Sequence, residues 1–119
     1  MKTFGDAQEP FSTMGVYPHM RFLHYADSGA VLAPHVDLSR LDIYGKLRST
    51  HSFLLYLTNC EQGGETALLD AVAGAGSNIA LATVKPKRGR LLLFPHRCPH
   101  KGLLVEDVPK LLIRGEVRL

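Results

Sequence analysis

A histidine and an aspartate stand two residues apart in the stretch APHVDLSR, as His35 and Asp37. Residues i and i+2 of a β-strand project from the same face, so a strand here would place the imidazole and the carboxylate side by side. Together they would offer a metal ion two ligands. Pairs of this kind also arise by chance, so a metal site requires a third ligand from another part of the chain.

Two further histidines, His96 and His100, follow an apolar run in the stretch RLLLFPHRCPHKGLLV. Two imidazoles and one carboxylate on one side of an ion, with open positions opposite, are typical of non-haem Fe(II) sites that also bind O2 and a co-substrate. Zinc-dependent hydrolysis with the same three ligands is the alternative chemistry. The spacing alone leaves open which of the two histidines completes the set.

The elements that must position these ligands are short. Turn signals recur along the chain, and no long stretch shows a sustained helical period. The pattern predicts eight strands, at 20–26, 30–37, 52–58, 66–69, 79–84, 90–95, 103–106 and 110–118. Many short strands separated by turns are typical of a sandwich or barrel. We therefore expect an all-β jelly roll over residues 20–119, with few or no supporting helices, after a lead-in segment at 1–19.

Four motifs occur in order: His-x-Asp, YLTNCEQGGET, LLLFPHxxPHKGxxV and Lys-x-x-x-Arg. This order resembles the catalytic core of the Fe(II)/2-oxoglutarate dioxygenases, most closely the prolyl 4-hydroxylase-like branch, from about Arg21 to the last residue. The resemblance implies a double-stranded β-helix that uses Fe(II), 2-oxoglutarate and O2, with ascorbate as reductant. The implied reaction hydroxylates an aliphatic C–H, with peptidyl proline as a candidate, and converts 2-oxoglutarate to succinate and CO2.

The resemblance assigns the catalytic metal ligands to His35, Asp37 and His100. The family's distal histidine precedes a small turn residue and then a valine, as His100 precedes Gly102 and Val105. His96 is then a supporting or structural residue. The three remaining histidines receive no role.

A buried co-substrate carboxylate needs a cation. In the resemblance a Lys or Arg about ten residues after the distal histidine supplies it, which is Lys110 here, and Arg114 on the same strand face shares or replaces the role. Alternatively, both belong to the solvated face of a strand whose other face is apolar.

Tyr56 and Tyr25 resemble two tyrosines that line the family's co-substrate pocket, although each is also a plausible core aromatic. Leu32 stands where many relatives carry a further tyrosine, so we expect one polar contact to be missing. The pair Gly63-Gly64 matches a turn of the core and serves backbone geometry.

Composition sets the remaining expectations. The chain carries a net charge of +3, and it has neither an apolar run of membrane-spanning length nor an apolar leader segment. We expect a cytoplasmic protein without a membrane partner. The basic stretch KPKRGR contains no aromatic residue, which favours a solvated turn over a nucleic-acid surface. Cys60 and Cys98 form no CxxC motif and fit free thiols.

Two alternatives remain open. One is a cupin-type metal enzyme that does not use 2-oxoglutarate, and the other is a truncated, inactive metal-binding or interaction domain. Relatives carry N-terminal helices against the larger sheet, and little precedes Arg21 to supply them. We therefore expect either a homodimer through that face or a fragment of a longer chain. A peptide or small-molecule substrate would meet the loops at 38–51 and 70–79.

Overall fold

The computed structural model describes residues 14–119, so the first 13 residues of the predicted lead-in segment lie outside the described part. Eight strands and one short 3₁₀ helix follow one another along the chain. They are β1 (Gly15–Tyr25), β2 (Leu32–His35), β3 (His51–Tyr56), β4 (Thr66–Leu69), a 3₁₀ turn (Ala75–Asn78), β5 (Ala80–Val84), β6 (Leu91–Pro95), β7 (His100–Gly102) and β8 (Lys110–Arg118).

The strands form two four-stranded sheets, with the orders β1-β8-β3-β6 and β2-β7-β4-β5. Every neighbouring pair is antiparallel. The chain crosses from one sheet to the other at most connections, which is the winding of a jelly roll. The prediction of an eight-stranded all-β jelly roll is confirmed.

The core lies between the two sheets and takes alternate residues of each strand. Leu54, Tyr56, Phe94 and Leu112 form its buried centre, all from the larger sheet. Leu68 of the smaller sheet packs against them. Strand β8 is central in the larger sheet, between β1 and β3, so its inward residues are fixed from both sides.

Most predicted strands agree with the structure within a few residues, but the seventh does not. The apolar residues at 103–106 predict a strand, whereas β7 is His100–Gly102. In the structure His100 pairs with His35 of β2 and with Leu68 of β4. Backbone pairing with both neighbours therefore decides the position of β7, and local hydrophobicity does not. Strand β1 also starts earlier than predicted, at Gly15.

The outer face of the larger sheet is apolar and exposed. Phe22 on β1 and Leu91 and Leu93 on β6 are 62%, 58% and 43% exposed. They alternate with inward residues of the same strands, such as Leu23 and Leu92, which pack against the core. Dimerisation through this face stays a prediction. Within residues 14–119, no helix has the length and apolar character needed to cross a bilayer.

Candidate metal centre

The two predicted histidine ligands lie opposite each other on neighbouring strands. His35 ends β2, His100 begins β7, and the two residues are register partners. Their ring centroids are 4.2 Å apart. Asp37 follows two residues after the end of β2, and its backbone N–H donates to the carbonyl of His96 at 3.0 Å. Strand pairing therefore brings together residues that are more than 60 positions apart in the sequence.

The ring nitrogens of both histidines are oriented for metal binding. Nδ1 of His35 lies 2.7 Å from the carbonyl oxygen of Ala33, and Nδ1 of His100 lies 2.9 Å from that of Cys98. A carbonyl only accepts, so each Nδ1 carries the proton and each Nε2 keeps its lone pair. The two Nε2 atoms lie 3.5 and 3.6 Å from Oδ1 of Asp37. One ligand atom from each residue lies within 4.8 Å of the others.

The protonation states also suit a cation. Burial lowers the pKa of His100, which favours the neutral, metal-binding imidazole. Burial alone would raise the pKa of Asp37, but the hydrogen bond from Ser52 and the charge and hydrogen bond of Arg114 act in the opposite direction, and the net shift is downward. A neutral His100 and an ionised Asp37 fit the set of two histidines and one carboxylate that is typical of non-haem Fe(II) sites.

A chain of buried hydrogen bonds fixes the second oxygen of Asp37. Ser52 Oγ donates to Asp37 Oδ2 at 2.6 Å and also contacts His96 Nδ1 at 2.8 Å. Ser49 Oγ contacts His96 Nε2 at 2.6 Å and accepts from the backbone N–H of Arg40. The Ser52 hydroxyl gives its single proton to the carboxylate, so His96 Nδ1 must donate to it. His96 Nε2 then accepts from Ser49.

Sequence reasoning gave His96 a supporting or structural role but did not find Ser49 or Ser52. Both serines are buried, and Ser52 lies within the apolar strand β3. A serine at an inward position of such a strand is the signal that would have found it, because a buried hydroxyl needs a polar partner.

Arg114 contacts the carboxylate directly. Its Nη2 lies 3.1 Å from Asp37 Oδ1, the same oxygen that the two Nε2 atoms approach. Arg114 was predicted as a co-substrate residue, and besides contacting Asp37 it lines the cavity that contains Lys110.

Two residues of the triad, His35 and His100, line the same cavity as Lys110, which we call the lysine cavity. Tyr25, His35, Thr66, His100 and Lys110 are among the residues that line it. Lys110 is only 4% exposed, so the solvated-face alternative is wrong for this residue. Its Nζ lies 5.0 Å from the ring centroid of Tyr25.

The buried side chain of Lys110 is available to pair with an anion. None of the ion pairs found across residues 14–119 includes it. Burial lowers its pKa, although the charges of Cys60 and Glu65 act in the opposite direction. A carboxylate delivered into the lysine cavity would favour the charged form of Lys110.

The two tyrosines differ in position. Tyr25 lines the lysine cavity. Tyr56 is fully buried, and its hydroxyl is hydrogen-bonded to Thr66 Oγ1 at 2.7 Å. In the described part of the chain, Thr66 rather than Tyr56 forms the wall there. Gly64 has a φ of +74°, and a Cβ there would lie 3.3 Å from Lys110 Cδ, so this turn contributes to the packing around Lys110.

The comparisons with known proteins agree with this geometry. A family model described as the 2OG-Fe(II) oxygenase superfamily matches residues 20–116. The chain belongs to this superfamily. A search of curated proteins finds no match.

Two solved structures of prolyl hydroxylases are similar to this oxygenase. One is a Pseudomonas putida prolyl-4-hydroxylase, with 26% identity over 83% of this chain and a TM-score of 0.61. The other is a viral collagen prolyl hydroxylase from Paramecium Bursaria Chlorella virus-1, with 21% identity over 86% of this chain and a TM-score of 0.57. At that identity, the viral enzyme supports the fold alone. The chain covers 50% and 62% of these two proteins.

The predicted substrate loops differ in their relation to the site. Residues 38–41 and Arg48 of the first loop line an open cleft that also reaches His35 and Asp37. The second loop, 70–79, lines neither this cleft nor the lysine cavity as described over residues 14–119.

Proposed function

We propose that this oxygenase hydroxylates an aliphatic C–H, coupled to decarboxylation of 2-oxoglutarate to succinate and CO2. One observation carries the proposal: His35 and His100 open into the same cavity as the buried Lys110. If the chelating end of 2-oxoglutarate binds the iron, its other carboxylate needs a cation in the cavity. Lys110 offers this cation. The chain spans about half of the P. putida prolyl-4-hydroxylase. The activity is therefore a proposal for this chain and is not carried over from that protein.

In this proposal His35, Asp37 and His100 hold Fe(II), which when bound supplies the activation of O2. The remaining tasks belong to the chain. Ser52 holds Asp37 in place, and the apolar walls of the lysine cavity keep water away from the co-substrate. Ascorbate as the reductant is part of the proposal.

Lys110 is the anchor that we propose for the far carboxylate. Lys110 is buried and forms no ion pair within residues 14–119, which favours it over Arg114, since Arg114 already contacts Asp37. Tyr25 lies beside Lys110 and lines the same cavity, so we assign it to the co-substrate as well. Tyr56 acts through Thr66, whose hydroxyl group it orients.

Peptidyl proline is the first substrate to test, because the similar structure from P. putida bears the name of a prolyl-4-hydroxylase. The cupin alternative gives no reason for a buried lysine next to the triad. The inactive-domain alternative predicts metal binding without turnover.

The test is a 2-oxoglutarate decarboxylation assay with Fe(II) and ascorbate, in which succinate is measured without an added substrate. We expect the wild-type chain to form succinate and His35→Ala and His100→Ala to form none. His24→Ala is the matched control, because His24 is exposed on β1 and lies outside both cavities. Fe(II) binding without succinate in the wild type would contradict the proposal and favour the inactive domain.

A further inference from the structure

Four arginines line the open cleft beside the triad, which we call the arginine cleft. They are Arg21 on β1, Arg40 and Arg48 on the loop after β2, and Arg114 on β8. Two carboxylates, Asp37 and Glu116, also line it. Four cations against two anions leave the lining with a formal charge of +2. The charges of a ferrous ion and a 2-oxoglutarate dianion cancel, so the bound state keeps this excess.

The excess is concentrated on two arginines. Arg40 Nε contacts Glu116 Oε1 at 2.8 Å, so the opposite charges of these two side chains balance each other. Arg48 is exposed, and its Nη1 donates to the neutral hydroxyl of Ser39, at 3.2 Å. Arg21 is exposed too, and the ion pairs identified in the described chain include neither Arg21 nor Arg48.

Strand pairing also sets two of these cations against each other. Arg21 and Arg114 are directly opposite on the antiparallel strands β1 and β8. Like charges at such positions destabilise a sheet unless an anion lies between them. Asp37 Oδ1 partly plays this role for Arg114. A metal ion on that oxygen would compete with Arg114 for the negative charge of Asp37. An external anion beside Arg114 would then be more favourable.

The arginine cleft is apolar as well as basic. Leu32, Val36 and Leu41 on its walls are each more than 40% exposed, and Leu38 is 85% exposed. Exposed leucines beside cations suit an extended ligand with both apolar and acidic groups. A small anion would leave these leucines in water, whereas a peptide would cover them.

We propose that the arginine cleft binds an acidic peptide segment and presents one of its C–H bonds to the triad. This rests on the proposed function, because it names the substrate class of the same site. Arg21 and Arg48 pair with acidic side chains that flank the reacting residue, and Leu38 packs against apolar side chains between them.

The test uses three acetylated nonapeptides with a central proline flanked by leucines. One carries glutamate at the four outer positions, one glutamine and one lysine. Binding is measured by titration calorimetry on the 119-residue chain with Fe(II) and 2-oxoglutarate, without oxygen. We expect the glutamate peptide to bind at least about tenfold more tightly than the glutamine peptide, and the lysine peptide to bind most weakly. Raising ionic strength from about 0.02 M to about 0.5 M should reduce this preference.

Arg21→Gln combined with Arg48→Gln should lower affinity for the glutamate peptide to that of the glutamine peptide. The matched control is Lys87→Gln with Arg88→Gln, which removes the same charge from an exposed turn outside the cleft and should keep the preference. Equal binding of the peptides, absence of binding by all three, or an unchanged preference in the first double variant would overturn the proposal. Succinate formation without peptide reports on the proposed function separately, so the two failures are distinguishable.

Discussion

Ser52→Ala is the sharpest perturbation that the structure offers, because one hydroxyl joins Asp37 to His96. The side chain is 0% exposed, so water does not replace the lost contacts without opening the core. The variant leaves Asp37 Oδ2 without its 2.6 Å donor and His96 Nδ1 without its 2.8 Å acceptor. No metal ligand is itself changed.

The magnitude follows from the two contacts. A hydrogen bond to a charged group contributes about 1.5–3 kcal/mol, and one between neutral groups contributes about 0.5–1.5 kcal/mol. We therefore expect Ser52→Ala to lower the free energy of unfolding by about 2–4.5 kcal/mol. Removing a hydrogen bond that orients a ligand typically weakens metal affinity by about 10–100-fold. The pKa of Asp37 should rise as well, since Ser52 lowers it in the wild type.

Urea unfolding of the metal-free chain measures the first quantity, and calorimetric titration with Fe(II) under anaerobic conditions measures the second. Ser77→Ala is the matched control, because it removes a half-buried hydroxyl, remote from the triad, that donates to the carbonyl of Gly74 just before the 3₁₀ turn. Combining Ser52→Ala with His96→Ala should give an effect about 0.5–3 kcal/mol smaller than the sum of the single effects, because both residues belong to one hydrogen-bond chain.

The reasoning is wrong if Ser52→Ala keeps Fe(II) affinity within about twofold of the wild type while it remains folded. Strict additivity with His96→Ala would be equally damaging, since it would mean that the two residues stabilise the protein independently.

Four further predictions concern other parts of the molecule. Lys110→Met should raise the KM for 2-oxoglutarate at least about tenfold and leave Fe(II) binding unchanged. Because burial lowers the pKa of Lys110 from its ordinary value of 10.5, the unfolded chain binds more protons than the folded chain between the folded-state pKa and pH 10.5. Without 2-oxoglutarate, the free energy of unfolding should therefore rise with pH in that window, and it should rise more in the wild type than in Lys110→Met. Gly64→Ala should cost about 1–2 kcal/mol in urea unfolding, because φ is +74° there and Lys110 leaves little space. Phe22→Glu should convert a dimer to a monomer in sedimentation velocity, and a monodisperse wild-type monomer at high concentration would contradict dimerisation.

The sequence was sufficient for the architecture because strand and turn signals are local. Short apolar runs between glycine- and proline-containing turns predicted all eight strands, and seven lie close to their predicted positions. The seventh failed because pairing with β2 and β4, rather than apolar content, positions it. The ordered motifs placed His35, Asp37 and His100 together, and the structure brings them within ligand distance. Their role in holding iron stays a prediction.

The contacts around the triad were beyond the sequence because they depend on register between strands far apart in the chain. Ser52 reaches Asp37 across 15 positions, and Arg40 reaches Glu116 across 76. Arg114 was predicted from its spacing to Lys110, but no local signal indicates that it contacts Asp37. The same spacing also fitted a solvated strand face, and only burial separates the two interpretations.

One face of β8 links all three parts of the site. Four successive residues on this face reach different places. Lys110 lines the lysine cavity and Leu112 belongs to the core. Arg114 contacts Asp37, and Glu116 contacts Arg40. Successive inward residues on a strand are about 6.6 Å apart, so β8 fixes the spacing of co-substrate anchor, metal ligand and substrate loop. A shift of one residue would turn all four side chains to the opposite face. Pairing with β1 and β3 prevents that shift, so β8 keeps the three parts of the site in register.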